Sequence, residues 1–316
     1  MPTNTAAELR FDRPSLLMRI IKWMLSKRKP VFPPTAEGAR EHIANRKLPK
    51  DAPLPAKIAS KHRAEHWELE GQRIVTLHPS GGAGEWHMLY FHGGGFIEPM
   101  FDVHWPLVAA IADRCGVSVT VPLYDVVPEA PAARQDALAD ASFAALAARH
   151  DPAKIILNGD SAGGHMALAL ALRLARAAKE TGGPQPGKLA LFAPWLDLTM
   201  ADPAMEAVEP HDIMLKIGTL RAAGEMYAAE RDPASPACSP LYTPPEDLAL
   251  LPPTRMWTGR HDLFIVDSRT FLGKLQAAGV DAKLYEYEGA PHVFMAVLPT
   301  RESKDCIALL DAFLRE

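Results

Sequence analysis

The sequence predicts an α/β fold, with a mostly parallel central sheet flanked by helices. Three observations carry that reading. Strand-like apolar runs alternate with helical patterns along most of the chain. One run, "KIILNG", passes through "GDSAGG" straight into the helical pattern "HMALALAL". A triple glycine, "HGGGF", directly follows another strand run.

Taken in order, the chain opens with "SLLMRIIKWML" (15–25), where Leu16, Leu17, Ile20 and Met24 fall at helical spacing. This predicts an amphipathic helix with that face packed on its own protein. Residues 26–57 are rich in proline and charge and read as a connector, so 1–57 forms a cap helix and connector ahead of a main domain at 58–316. "HWELEG" and "QRIVTLHP" predict an antiparallel hairpin around Gly71. Further strands are expected at 85–91, 117–122, 154–159, 188–193, 254–259 and 282–287. Helices are expected at 132–149, 165–179, 268–278 and 301–314. Crossover helices between strands make the sheet parallel, with the hairpin as an antiparallel edge. The stretch 199–253 is too long for a simple connection; about 199–235 reads as a cap insertion, with "HDIMLKIGTLRAAGEMYAA" as helix.

Composition narrows the function. The formal net charge of -4 over 316 residues argues against a nucleic-acid binder, which would usually show a basic face. The three cysteines have no metal-ligand spacing and cannot all pair, which predicts a reducing compartment and a cytoplasmic location. No unbroken apolar stretch suits a bilayer, so no stable membrane insertion is expected.

"GDSAG" (159–163) fits G-x-S-x-G between strand and helix. A serine on such a tight turn is lifted above the sheet edge, in front of the next helix's N-terminal amides. A serine hydroxyl is a weak nucleophile and needs a base and an orienting acid. In the chain order Ser, acid, His, the loops after the last two strands offer Asp262 and His292 to partner Ser161. Asp267 rivals Asp262 but is expected to cap the helix beginning at Ser268, and His261 is expected at the surface. Three glycines in "HGGGF" cost backbone entropy, which makes sense where bare amides must approach a substrate oxygen. That segment, with the Ala162 amide, is the expected oxyanion hole.

On these motifs the chain resembles the bacterial branch of the hormone-sensitive lipase-like esterases, which have the α/β-hydrolase fold. "YDVVPEAPAARQDAL", "PWLDLT" and "SPLYTP" also have counterparts there, and the likeness covers about 65–316. Asp125 departs from the arginine usual at its position, and "DLFIVDS" from the usual D-P-L-R-D-E-G. The resemblance implies Ser161 as nucleophile, Asp262 as acid and His292 as base. It implies Gly93, Gly94 and Ala162 as oxyanion donors, with His92 and Gly95 supporting that loop. Phe96, Met18, Ile213 and Met214 are the expected substrate contacts, roofed by the first helix and the insertion. The expected substrate is a small ester with a short acyl group; a lactone, a lipid or a non-catalytic ligand role are the alternatives. No metal or organic cofactor is expected, and the oligomeric state stays open, a homodimer included.

Overall fold

A computed structural model describes residues 7–27, 33–46 and 52–316. Among the described residues, nine strands form one sheet in the order β1-β9-β8-β7-β6-β4-β5-β3-β2. They are β1 (Glu8–Leu9), β2 (Ala64–Leu69), β3 (Gln72–Leu77), β4 (His87–Phe91), β5 (Ser118–Leu123), β6 (Ile155–Asp160), β7 (Lys188–Phe192), β8 (Thr254–Gly259) and β9 (Ala282–Tyr287). Only the β2–β3 and β3–β5 pairings are antiparallel. The hairpin therefore forms the antiparallel edge, as its two alternating runs require. Strands β4 to β9 are buried along almost their whole length, which is why they read as continuous apolar runs. The two-residue β1 has no such run and was not predicted.

The helices are α1 (Leu16–Ser26), α2 (Ala36–Asn45), α3 (Ala56–Ala59), α4 (His104–Cys115), α5 (Ala132–Ala147), α6 (Ala162–Thr181), α7 (Met205–Val208), α8 (Ile217–Ala228), α9 (Pro245–Leu248), α10 (Ile265–Ala277) and α11 (Arg301–Arg315). Two core clusters, one containing Phe143, Leu168 and Phe271 and the other Trp105, Ile111 and Leu310, pack between the sheet and the helices. Helix α4 gives no helical period in the sequence because it has no broad polar face: seven of its twelve residues are buried.

Three expectations change. Leu16, Leu17, Ile20 and Met24 do not face the protein; they are exposed, and α1 packs through Met18, Ile21 and Leu25. The helix is apolar on both sides, so spacing alone could not choose the buried one. The connector is not structureless, because α2 lies within it and packs on α8; residues 28–32 and 47–51 of that connector fall outside the described residues. Within "HDIMLKIGTLRAAGEMYAA" the α-helix covers only α8, and Asp212 to Lys216 are not helical.

The first helix is fixed at its start. The Ser15 amide and hydroxyl donate to Glu302 at 2.6 and 2.7 Å, and Arg10 pairs with Asp305 at 3.0 Å. Among the described residues no helix is long and apolar enough to cross a membrane.

Candidate active site

Strand β6 lies between β4 and β7, so the loops after β4 and β6 meet at the carboxyl edge of the sheet. Ser161 stands there between β6 and α6, with φ 56° and ψ -120°. No side chain relaxes into that region cheaply, and the surroundings hold it. Its amide donates to the Phe192 carbonyl at 2.9 Å, and its carbonyl accepts from Trp195 at 3.1 Å. The flanking glycines are required by close approach. A Cβ on Gly159 would meet the Gly163 carbonyl oxygen at 2.3 Å, and one on Gly163 would meet the Phe91 oxygen at 1.9 Å.

Ser161 and His292 line one cavity of about 190 Å³, together with Gly94, Gly95, Leu25, Val103, Met214 and Leu215 among others. The loops after β8 and β9 bring Asp262 and His292 together, His292 Nδ1 lying 2.9 Å from Asp262 Oδ2. The other carboxylate oxygen of Asp262 accepts from the Phe264 amide at 2.9 Å. Burial alone would push His292 down; the Asp262 charge and hydrogen bond outweigh it and hold the imidazole above its ordinary value of 6.5.

Asp267 is not the helix cap. Helix α10 starts at Ile265, earlier than expected, which places Asp267 inside its first turn. There its carboxyl is fully buried, with neither oxygen hydrogen-bonded among the described residues. Burial, aided by the charges of Asp197 and Asp202, pushes it up to about 8.

The glycine loop needs one correction. The Gly93 amide donates to Asp160 Oδ1 at 3.0 Å, and Gly93 is not part of the cavity lining. An amide has one proton, so Gly93 is not a free oxyanion donor; Gly94 and Gly95 are the loop glycines at the cavity. Gly94 has φ +135°, and a Cβ there would lie 2.3 Å from the Glu98 carbonyl oxygen. Asp160 organises this loop and was not singled out in the sequence. It accepts from Tyr90 Oη and the Gly93 amide and faces His104 Nε2 at 3.3 Å. Burial pushes its carboxyl up, but the His104 charge and these hydrogen bonds hold it below the usual range.

His92 packs against the start of the loop. Its ring stacks on Tyr124 at 4.1 Å, its Nδ1 bonds the Gly93 carbonyl at 2.7 Å, and its own carbonyl accepts from Tyr124 Oη at 2.5 Å. Burial pushes the imidazole down to about 3, so it stays neutral. Of the expected substrate contacts only Met214 lines the cavity. Phe96 is core, stacked on Tyr227 at 3.6 Å; Met18 is buried in the second cluster; Ile213 is not in the lining. Leu25 takes the place expected for Met18.

The insertion and α1 are tied to the loops after β8 and β9 by Asp212 and Lys22. Asp212, buried in the insertion, accepts from the Met214 and Leu215 amides with Oδ1 at 2.8 Å and from the Leu263 amide with Oδ2 at 3.0 Å. Burial and the Asp262 charge push its carboxyl up to about 6. Lys22 of α1 donates to His261 Nδ1 and to the Gly289 carbonyl at 3.2 Å. His261 is therefore half-buried under the cap and not at the surface, and burial and the Lys22 charge push its pKa down. Among the described residues no cluster of histidine, cysteine and carboxylate could hold a metal ion.

Residues 88–296 match a family model described as the alpha/beta hydrolase fold. An esterase of Acinetobacter venetianus is 33% identical over 64% of this chain, a match spanning 65% of that protein's length. The carboxylesterase/phospholipase LipF of Mycobacterium tuberculosis is 28% identical, with 77% of this chain and 65% of that protein covered. A solved esterase of the bacterial hormone-sensitive lipase family is 25% identical with a TM-score of 0.76, over 95% of this chain and 98% of that one. A hormone-sensitive lipase from a metagenome library gives 26% and 0.76, over 96% and 98%. On its sequence match, its sheet and its serine turn, the chain belongs to the α/β-hydrolase fold family and is similar to the esterases of the hormone-sensitive lipase type.

Proposed function

We propose that this protein is a serine carboxylester hydrolase that works through an acyl-enzyme and favours short acyl groups. The observation that carries it is His292, paired with Asp262, lining the same cavity as Ser161 on its strained turn. In this reading His292 takes the Ser161 proton as the hydroxyl attacks the ester carbonyl. Asp262 fixes the imidazole tautomer and stabilises the cation that forms. The oxyanion is held by the amides of Gly94, Gly95 and Ala162, the last at the start of α6, where helix amides have no internal acceptor. The alcohol leaves with the proton from His292, and water repeats the sequence on the acyl-enzyme.

The short-acyl preference rests on the cavity's size and apolar wall, with Leu25, Val103, Met214, Leu215 and Leu220 around the serine. Each buried methylene gains about 0.8 kcal/mol until the space is full, and overpacking then reverses the gain. Hydrolysis of a p-nitrophenyl ester series, with Ser161→Ala as control, tests both parts. The expected result is a kcat/KM maximum between acetyl and hexanoyl and a steep loss for long chains. Absence of hydrolysis across esters and small lactones would overturn the reading, and a long-chain maximum would overturn the acyl preference.

A further inference from the structure

The outer face of α1 has no role in the ester hydrolase reading. Leu16, Leu17, Ile20, Trp23 and Met24 are 68, 40, 45, 63 and 50% exposed. They share the arc of the helix opposite Met18, Ile21 and Leu25. Single apolar side chains on a surface mean little, but five large ones side by side mark an interaction site.

Charge identifies the occupant. Between Asp12 and Glu37 the sequence carries Arg13, Arg19, Lys22, Lys27, Arg28 and Lys29 and no acidic residue, within a chain of net charge -4. Arg13, Arg19 and Lys27 are exposed around the apolar arc. A second copy meeting this patch through a two-fold axis would set cation against cation. An anionic lipid surface answers both properties, taking the apolar arc with its tryptophan into the headgroup boundary and the cations against the phosphates. The helix has 11 residues, against about 20 needed to span a bilayer, so it would lie in the interface.

The position of the cavity fits this use. Leu25, on the same helix, lines the cavity, and the neighbouring lining residues Val103 and Met214 are 54 and 36% exposed. The cavity is thus walled by the inner side of the helix whose outer side carries the apolar arc, with exposed residues at its rim. Anchored by Ser15 to Glu302 and by Lys22 to the Gly289 carbonyl, α1 would carry the whole protein with it when it docks.

We propose that α1 is a peripheral anchor that seats the protein on an anionic lipid surface with the cavity mouth at that surface. Flotation of the full chain with vesicles tests it, using mixed phosphatidylglycerol and phosphatidylcholine against phosphatidylcholine alone. The protein should float with the anionic vesicles only, and less as salt rises from about 0.05 to 0.5 M. Arg19→Ala and Lys27→Ala should each weaken binding about fivefold. The pair Ile20→Asp and Trp23→Asp should abolish it while leaving turnover of a soluble short ester in lipid-free buffer unchanged, which reports separately on fold and on the hydrolase reading. The proposal is overturned if the protein does not bind anionic vesicles, or if the aspartate pair binds them equally well. It is also overturned if light scattering finds a dimer that the aspartate pair dissolves while vesicles stay unbound.

Discussion

Asp212 and Leu263 meet across the seam between the insertion and the catalytic loops, the carboxylate accepting the Leu263 amide at 3.0 Å. Leu263 follows Asp262 directly, so the insertion holds the turn that places Asp262 against His292. In Asp212→Asn, with Oδ1 left on the Met214 and Leu215 amides, an NH₂ would face the Leu263 N–H. Loss of that bond should destabilise the protein by about 1–3 kcal/mol and lower kcat. The Asp212 charge also favours protonated His292, so the acid limb of the pH profile should move to lower pH. Unchanged kcat together with an unchanged limb would remove Asp212 from this role.

Ser161→Ala and His292→Ala should each lower kcat by roughly 10⁴-fold or more, and the double variant should lose little further, because such residues act as one unit. Effects that multiply, measured on a soluble ester, would contradict the assignment.

Asp262→Asn should cost about 10⁴-fold in kcat, through the wrong imidazole tautomer. Asp267→Asn should leave kcat nearly unchanged. Comparable losses in both variants would reopen the identity of the acid.

The base works only when neutral. Since Asp262 holds His292 above its ordinary 6.5, kcat/KM should fall as pH drops, with a midpoint above about 6.5. A profile flat to pH 5 would exclude His292 as the base.

Asp267 carries a stability prediction of its own. Its folded-state pKa of about 8 lies above the unfolded carboxyl value, so its contribution is full below about pH 4 and is lost as pH rises through 8. Each pH unit in that window costs at most about 1.4 kcal/mol. Asp267→Asn cannot ionise and should lose less stability between pH 5 and pH 8 than the native protein, as read by urea unfolding. Parallel curves would mean that Asp267 is ionised in the fold.

What the sequence determined by itself is the set of features written by local constraint. Strands β2 to β9 follow from short runs, alternating at the hairpin edge and continuously apolar where both sheet faces are covered. The serine turn follows from Gly159 and Gly163, where a Cβ would strike backbone oxygens. The order Ser161, Asp262, His292 follows from which loops leave the carboxyl edge of a parallel sheet. Only the tertiary structure decided the rest, because each remaining choice depends on partners distant in the chain. Asp262 and Asp267 stand five positions apart, and what separates them is that one meets His292 while the other is buried without a hydrogen-bond partner among the described residues. Gly93 and Gly95 are equivalent in a triple glycine until Asp160, on another strand, takes the Gly93 amide. Helix α1 is apolar on two sides, and the acceptors His261 and Gly289, which draw Lys22 inward, choose the buried one. Periodicity records that a side chain is apolar; which surface covers it is a property of the folded chain.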